Sequence, residues 1–129
     1  IFMYVGNDIV ASEKDKAPDQ VLEIFKYVIQ EIRTLLPTTP TCWLAISPSE
    51  KRWAAWDRVQ AANQLIKEFI VTQPNLFYID AGPSFIGKDQ LPIKSYYLED
   101  KLHYNEKGYQ VWGQTIRKSV KRIAKKGKQ

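Results

Sequence analysis

Thr41-Cys42-Trp43-Leu44-Ala45-Ile46-Ser47 is an uncharged, mostly apolar run closed by Pro48-Ser49. A short apolar run bounded by turn residues fits a strand buried on both faces, as in a parallel sheet. The pattern recurs on either side. Upstream, Ile1-Phe2-Met3-Tyr4-Val5 is apolar, β-branched and aromatic and stops at Gly6. Downstream, Leu76-Phe77-Tyr78-Ile79-Asp80 follows the Pro74-Asn75 turn.

The segments between these runs follow a helical period of about 3.6 instead. Ala17-Pro18-Asp19 opens a helix on which Val21, Leu22, Phe25, Val28, Ile29, Ile32 and Leu35/Leu36 recur at three- and four-residue steps, until Pro37 ends it. Trp53 to Val71 is helical through Trp56, Val59, Ala62, Leu65, Ile66 and Phe69. Ala81 to Glu99 is irregular, with Gly82-Pro83, Gly87 and Pro92. Glu106 to Lys125 closes the chain as a helix with Tyr109, Trp112, Ile116, Val120 and Ile123 on one face. The order β-α-β-α-β-loop-α predicts an α/β fold with a parallel sheet. Three strands make that sheet thin, and the first residues already lie in a strand. Strands preceding Ile1 are therefore expected to be missing from this chain.

Composition narrows the function classes. The chain has 129 residues, 44% hydrophobic and 26% charged, which fits one soluble domain. No apolar run is long enough to span a membrane, and the single cysteine, Cys42, excludes a disulfide framework. The net charge of +5 is local. From Arg117 to Lys128 there are seven basic residues and no acidic ones, while the rest of the chain holds twelve basic and fourteen acidic side chains. A basic run at about 117–129 reads as a solvated helix end and tail. No phosphate loop, RNA-binding signature or zinc-finger spacing points to nucleic acid, and no His/Cys/Asp cluster has metal-ligand spacing, so neither a metal nor another cofactor is expected.

Functional groups in open parallel sheets gather at the carboxyl ends of the strands. Those ends carry Gly6-Asn7-Asp8, Ser47-Pro48-Ser49 and Asp80-Ala81-Gly82, and the irregular stretch delivers Asp100-Lys101-Leu102-His103 just before the last helix. His103 is the only histidine. An Asp three positions before a His in a loop can turn back to accept the Nδ1 proton, which leaves Nε2 to act as a general base. A carboxamide at a strand end can donate to a developing oxyanion. Each motif alone has a plainer reading, as a surface histidine and as turn chemistry.

Together and in this order, Val5-Gly6-Asn7-Asp8 and Asp100-Lys101-Leu102-His103 resemble the later blocks of the GDSL/SGNH hydrolases. Ile46-Ser47-Pro48-Ser49 with Arg52-Trp53, and Leu98-Glu99-Asp100 through Tyr104-Asn105-Glu106-Lys107-Gly108-Tyr109, resemble the small-esterase branch of that family. The resemblance runs from Gly6 to about Trp112. It implies a flavodoxin-like three-layer α/β/α parallel sheet, incomplete here, with residues 1–129 as the C-terminal portion of one hydrolase domain. It further implies Asn7 as oxyanion donor, Asp100 as triad acid, His103 as triad base, and a small ester or acylated substrate. The family's nucleophilic serine belongs to a Gly-Asp-Ser block, and no serine of this chain has that context. The chain alone is therefore expected to be inactive. Trp53 and Tyr104 are further candidates for the pocket edge, whereas Trp56 and Trp112 read as packing. The open sheet edge beside Ile1–Val5 would pair with the missing N-terminal half or a second copy. Two other readings share the architecture: a non-catalytic binding or scaffolding module, and a nucleotide or flavin protein.

Overall fold

The side chains of the middle strand divide the molecule into layers. The computed structural model describes residues 1–126, so the last part of the expected basic tail, 127–129, lies outside the described residues. Strand β1 (Phe2–Met3) is followed by helix α1 (Pro18–Leu35), strand β2 (Thr41–Leu44), helix α2 (Trp56–Val71), strand β3 (Leu76–Ile79) and helix α3 (Glu106–Lys126). The strands form one parallel sheet in the order β1-β2-β3, with Phe2 opposite Cys42, Cys42 opposite Phe77 and Leu44 opposite Ile79.

All four β2 residues are buried. Trp43 faces α1 and α2, packing with Val21, Phe25, Ile29, Val59, Ala62 and Ile66. The Phe25 and Trp43 rings meet edge to face at 5.0 Å. Cys42 and Leu44 point the other way, with Ile79, onto Trp112, Ile116 and Ile123 of α3. Alternation along one strand thus builds a three-layer α/β/α arrangement, with α1 and α2 on one face and α3 on the other.

Boundaries differ from expectation where pairing, not apolarity, sets them. β1 is two residues long because only Phe2 and Met3 find ladder partners on β2, although the apolar run is longer. β2 stops at Leu44 although Ala45 and Ile46 are also buried. The reason lies in α2. Asn63 Nδ2 donates to the Ile46 carbonyl at 2.9 Å, and Asn63 Oδ1 accepts the Ile46 N–H at 3.0 Å. A side-chain amide replaces a neighbouring strand and ends the ladder there. The segment Trp53–Ala55, expected as helix, is a 3-10 turn that leads into α2. Two further 3-10 turns, Gly82–Phe85 and Lys94–Tyr96, fold the irregular stretch onto the core, with Phe85 fully buried. No described helix is long and apolar enough to cross a membrane.

Replacing Asn63 by Ala leaves both Ile46 backbone groups buried without a partner, and each such group costs roughly 1–3 kcal/mol. Urea unfolding of Asn63→Ala is expected to show a loss of about 2–4 kcal/mol with an unchanged m-value. A loss below about 0.5 kcal/mol would show that the side-chain pairing contributes little.

Candidate active site

Parallel pairing puts the turns after β1, β2 and β3 on one edge of the sheet. The loop before α3 is tied to the turn after β2 at the same edge. Lys51 N–H donates to Lys101 O at 3.1 Å, the Tyr97 hydroxyl donates to Pro48 O at 2.7 Å, and Lys101 Nζ lies 2.8 Å from Glu50 Oε1. The ion pair holds the Glu50 carboxyl below its ordinary range and the Lys101 ammonium above its own. Lys101 has φ 60°, a left-handed conformation uncommon for a residue with a Cβ. These contacts hold that turn in place.

The tight turn brings Asp100 against His103. Asp100 Oδ1 accepts the N–H groups of Leu102 at 2.9 Å and His103 at 3.0 Å, while Oδ2 lies 2.5 Å from His103 Nδ1. The His103 hydrogen bond, then the two backbone N–H groups, holds the Asp100 carboxyl well below the usual carboxylate range. An ionised carboxylate only accepts, so Nδ1 carries the proton. In the neutral ring, Nε2 is then the basic nitrogen.

Asn105 fixes the approach to α3. Its Nδ2 donates to the carbonyls of Ser95 and Tyr97, and its Oδ1 accepts the Gly108 N–H at 3.1 Å, capping the helix. A Cβ at Gly108 would stand 2.3 Å from Tyr96 O, so the chain needs glycine there.

Asn7 enters from the turn after β1. Arg52 sits above that turn: one guanidinium nitrogen donates to Gly6 O at 2.7 Å and the other to Asn7 Oδ1 at 3.0 Å. The rest of the β1–α1 loop is gathered by Asp15, whose carboxylate accepts N–H groups from Val10, Ala11 and Ser12 and the Ser12 hydroxyl, and pairs with Arg58 at 2.9 Å.

A cleft of about 350 Å³ brings these parts together. Asn7, His103 and Tyr104 line it; its apolar floor is Ile9, Ile46 and Val59, and Trp56 and Trp112 wall it. Both tryptophans expected to pack do pack, and they face the cleft as well. Trp53 lies elsewhere. The 3-10 turn stacks its ring on Trp56 at 5.8 Å, so it lines a neighbouring cleft of about 620 Å³ with Gln60, Lys67 and Asp80. Burial raises the Tyr104 hydroxyl's pKa, so it stays protonated at neutral pH. Ser49 is buried, and its Oγ accepts the Arg52 N–H at 3.3 Å, a turn role. Ser47 also lines the cleft, and among the described residues its Oγ makes no hydrogen bond to His103.

The sequence did not point to the contacts of Arg52, Asp15 and Glu50. Their partners are mostly distant in the chain or chosen among many turn residues, so no local pattern marks them. Arg52 had a signal, since it stands in a stretch of the family resemblance.

Neither a family model nor a curated protein sequence matches this chain. Solved structures do. One is described as "a putative platelet activating factor from Streptococcus pneumonia", with TM-score 0.78 and 22% identity over 91% of this chain and 57% of that one. Another is "a putative acylhydrolase" from Bacteroides fragilis, with TM-score 0.73 and 15% identity over 92% of this chain and 59% of that one. The likeness fixes the fold. The chain spans less than three fifths of either structure's length.

The loop that carries Asn7 has its own pH signature. Desolvation pushes the Asp15 pKa up, but the hydrogen bonds from Val10, Ser12 and Ala11 outweigh it and lower it to about 2, from an ordinary value of 3.8. A depressed carboxylate stabilises the fold above its unfolded pKa, and that contribution is lost as pH falls through the folded one. Asp15→Asn is therefore expected to melt lower than the parent at pH 7, with the gap closing between pH 3.8 and about 2. Circular-dichroism melts across that range check it; a gap independent of pH would point to a cause other than this charge.

Proposed function

We propose that this chain supplies the acid–base pair and the oxyanion donor of a Ser-dependent ester hydrolase of the GDSL/SGNH type, with the serine contributed from outside these 129 residues. The observation that carries the reading is the Asp100 Oδ2–His103 Nδ1 contact of 2.5 Å, opening on the cleft that Asn7 also lines. Neighbours described as a platelet activating factor and an acylhydrolase support it.

In this reading His103 Nε2 takes the proton of the serine hydroxyl as it attacks the ester carbonyl. Asp100 holds the ring and stabilises the imidazolium that forms. Asn7 Nδ2 donates to the oxyanion of the tetrahedral intermediate. The imidazolium then returns its proton to the departing alcohol, and water repeats the cycle on the acyl-enzyme. The cleft's apolar floor of Ile9, Ile46 and Val59 suits an acyl group.

The full natural reading frame is expected to hydrolyse a small activated acetyl ester, and the isolated chain is not. His103→Ala should cost on the order of a million-fold in kcat and Asp100→Asn about ten-thousand-fold. An inert reading frame that contains a Gly-Asp-Ser block would sink the proposal in favour of a non-catalytic binding module. The exposed cations Arg117, Lys118, Lys121, Arg122 and Lys125 would then give salt-sensitive binding to an anionic surface.

The same reading assigns a partner to the free edge of β1. Among the described residues β1 pairs with β2 alone, and Ile1 just before it and Phe2 on it are 41% and 53% exposed. Its occupant is either the N-terminal strands of the complete domain or, failing them, a second copy of this chain. Sedimentation should therefore find the isolated chain self-associated. A clean monomer at high concentration counts against it.

A further inference from the structure

The turn after β2 reaches across the site to the turn after β1, and the chemistry of that contact is one-sided. Arg52 is anchored through its own N–H to the buried Ser49 and begins the 3-10 turn before α2. Its two terminal nitrogens fork onto consecutive residues, the Gly6 carbonyl at 2.7 Å and Asn7 Oδ1 at 3.0 Å. Among the described residues no carboxylate pairs with Arg52.

A guanidinium has five N–H donors and no acceptor. The end of a carboxamide that faces it can only be the oxygen. We propose that Arg52 is a positioning residue that fixes the Asn7 carboxamide with its NH₂ turned away from the guanidinium, as the donor the cleft receives. The inference rests on the ester-hydrolase reading for its catalytic consequence, but not for the orientation itself.

Half a turn about the Asn7 Cβ–Cγ bond would exchange the two ends. Lone pairs would then face the oxyanion, and a stabilising contact would become a repulsive one. Asn7 is exposed, so burial does not choose between the two orientations. Arg52 does. The second arm of the fork, on the Gly6 carbonyl, keeps the guanidinium in register with the turn. Lysine offers a point charge on a flexible stem and cannot hold both oxygens in that geometry.

The test has two readouts. In the chain labelled with ¹⁵N at asparagine, relaxation of the Asn7 NH₂ should report a rigid carboxamide in the parent and a mobile one in Arg52→Gln and Arg52→Lys. Melting temperatures serve as the folding control. In the full reading frame, Arg52→Gln should lower kcat about 10- to 100-fold with KM changed less than about twofold, since the lost interaction forms in the transition state. Asn7→Ala should cost about 100- to 1,000-fold, and the double variant no more than Asn7→Ala alone, because Arg52 acts through Asn7. Additive losses, or an Asn7 carboxamide equally rigid without Arg52, would overturn the proposal. An inert reading frame whose Asn7 loosens on losing Arg52 sinks the hydrolase reading and upholds the orientation.

Discussion

A strand buried on both faces can keep its backbone hydrogen-bonded only through its neighbours in the sheet, and β2 is the strand on which everything else is hung. Trp43 and its flanking residues require a layer of helix on each side. Parallel pairing requires each connection to cross back over the sheet, which needs a segment as long as α1 or α2. One consequence is chemical. Every strand then ends on the same side, so Gly6-Asn7, Ser47-Pro48 and Asp80-Ala81 emerge together without any of them being adjacent in sequence. The edge collects polar turn residues because that is where the backbone leaves the core, and the cleft forms between them. Asn63 shows the limit of the sheet, since a side chain takes over where no strand continues.

Electrostatics at that edge is arranged in separate small compensations. Asp100 receives three N–H donors from within four residues of sequence, and its carboxyl is held ionised by them. Glu50 and Lys101 stabilise each other's charged forms across the two loops that meet there. Asp15 is almost fully enclosed, yet five donor contacts keep it anionic. Most of these ties lie outside the cleft itself, with Asp15 organising the loop behind Asn7 and Glu50 the loop behind His103. The cleft is left with His103, Asn7, Arg52 and the protonated Tyr104.

Periodicity made the helices and the strand order legible, because burial on one stripe or on both faces leaves a mark on every few residues. Pro18 and Pro37 bracket α1 in the sequence as they do in the structure. Strand length was not legible. Apolarity continues through Val5 and Ile46, but ladder partners do not, and pairing depends on residues elsewhere in the chain. Trp53 illustrates the same difficulty for a site residue. Its place beside a Ser-Pro-Ser turn put it near the cleft, but one tight 3-10 turn sends its ring to the far side of Trp56. The spacing of Asp100 and His103 allowed their contact, since three residues of loop contain the geometry it needs, but it was the family resemblance that favoured it over a plain surface histidine.

Asn7 and the Asp100–His103 pair differ in what holds them. The pair is assembled from Leu98 to Asn105 by contacts between near neighbours, so its shape forms wherever that loop closes. Asn7 depends on a contact spanning 45 residues, and that contact exists only once β1 lies beside β2 and the two turns face each other. The carboxamide also has two nearly isosteric ends, which packing cannot tell apart and only a donor or an acceptor can. A charged, donor-only partner makes that choice with the least ambiguity. The local motif therefore supplies the carboxylate–imidazole contact. The long-range fold supplies the direction of a dipole, so Asn7 could be named from its place after a strand while the orientation of its carboxamide could not.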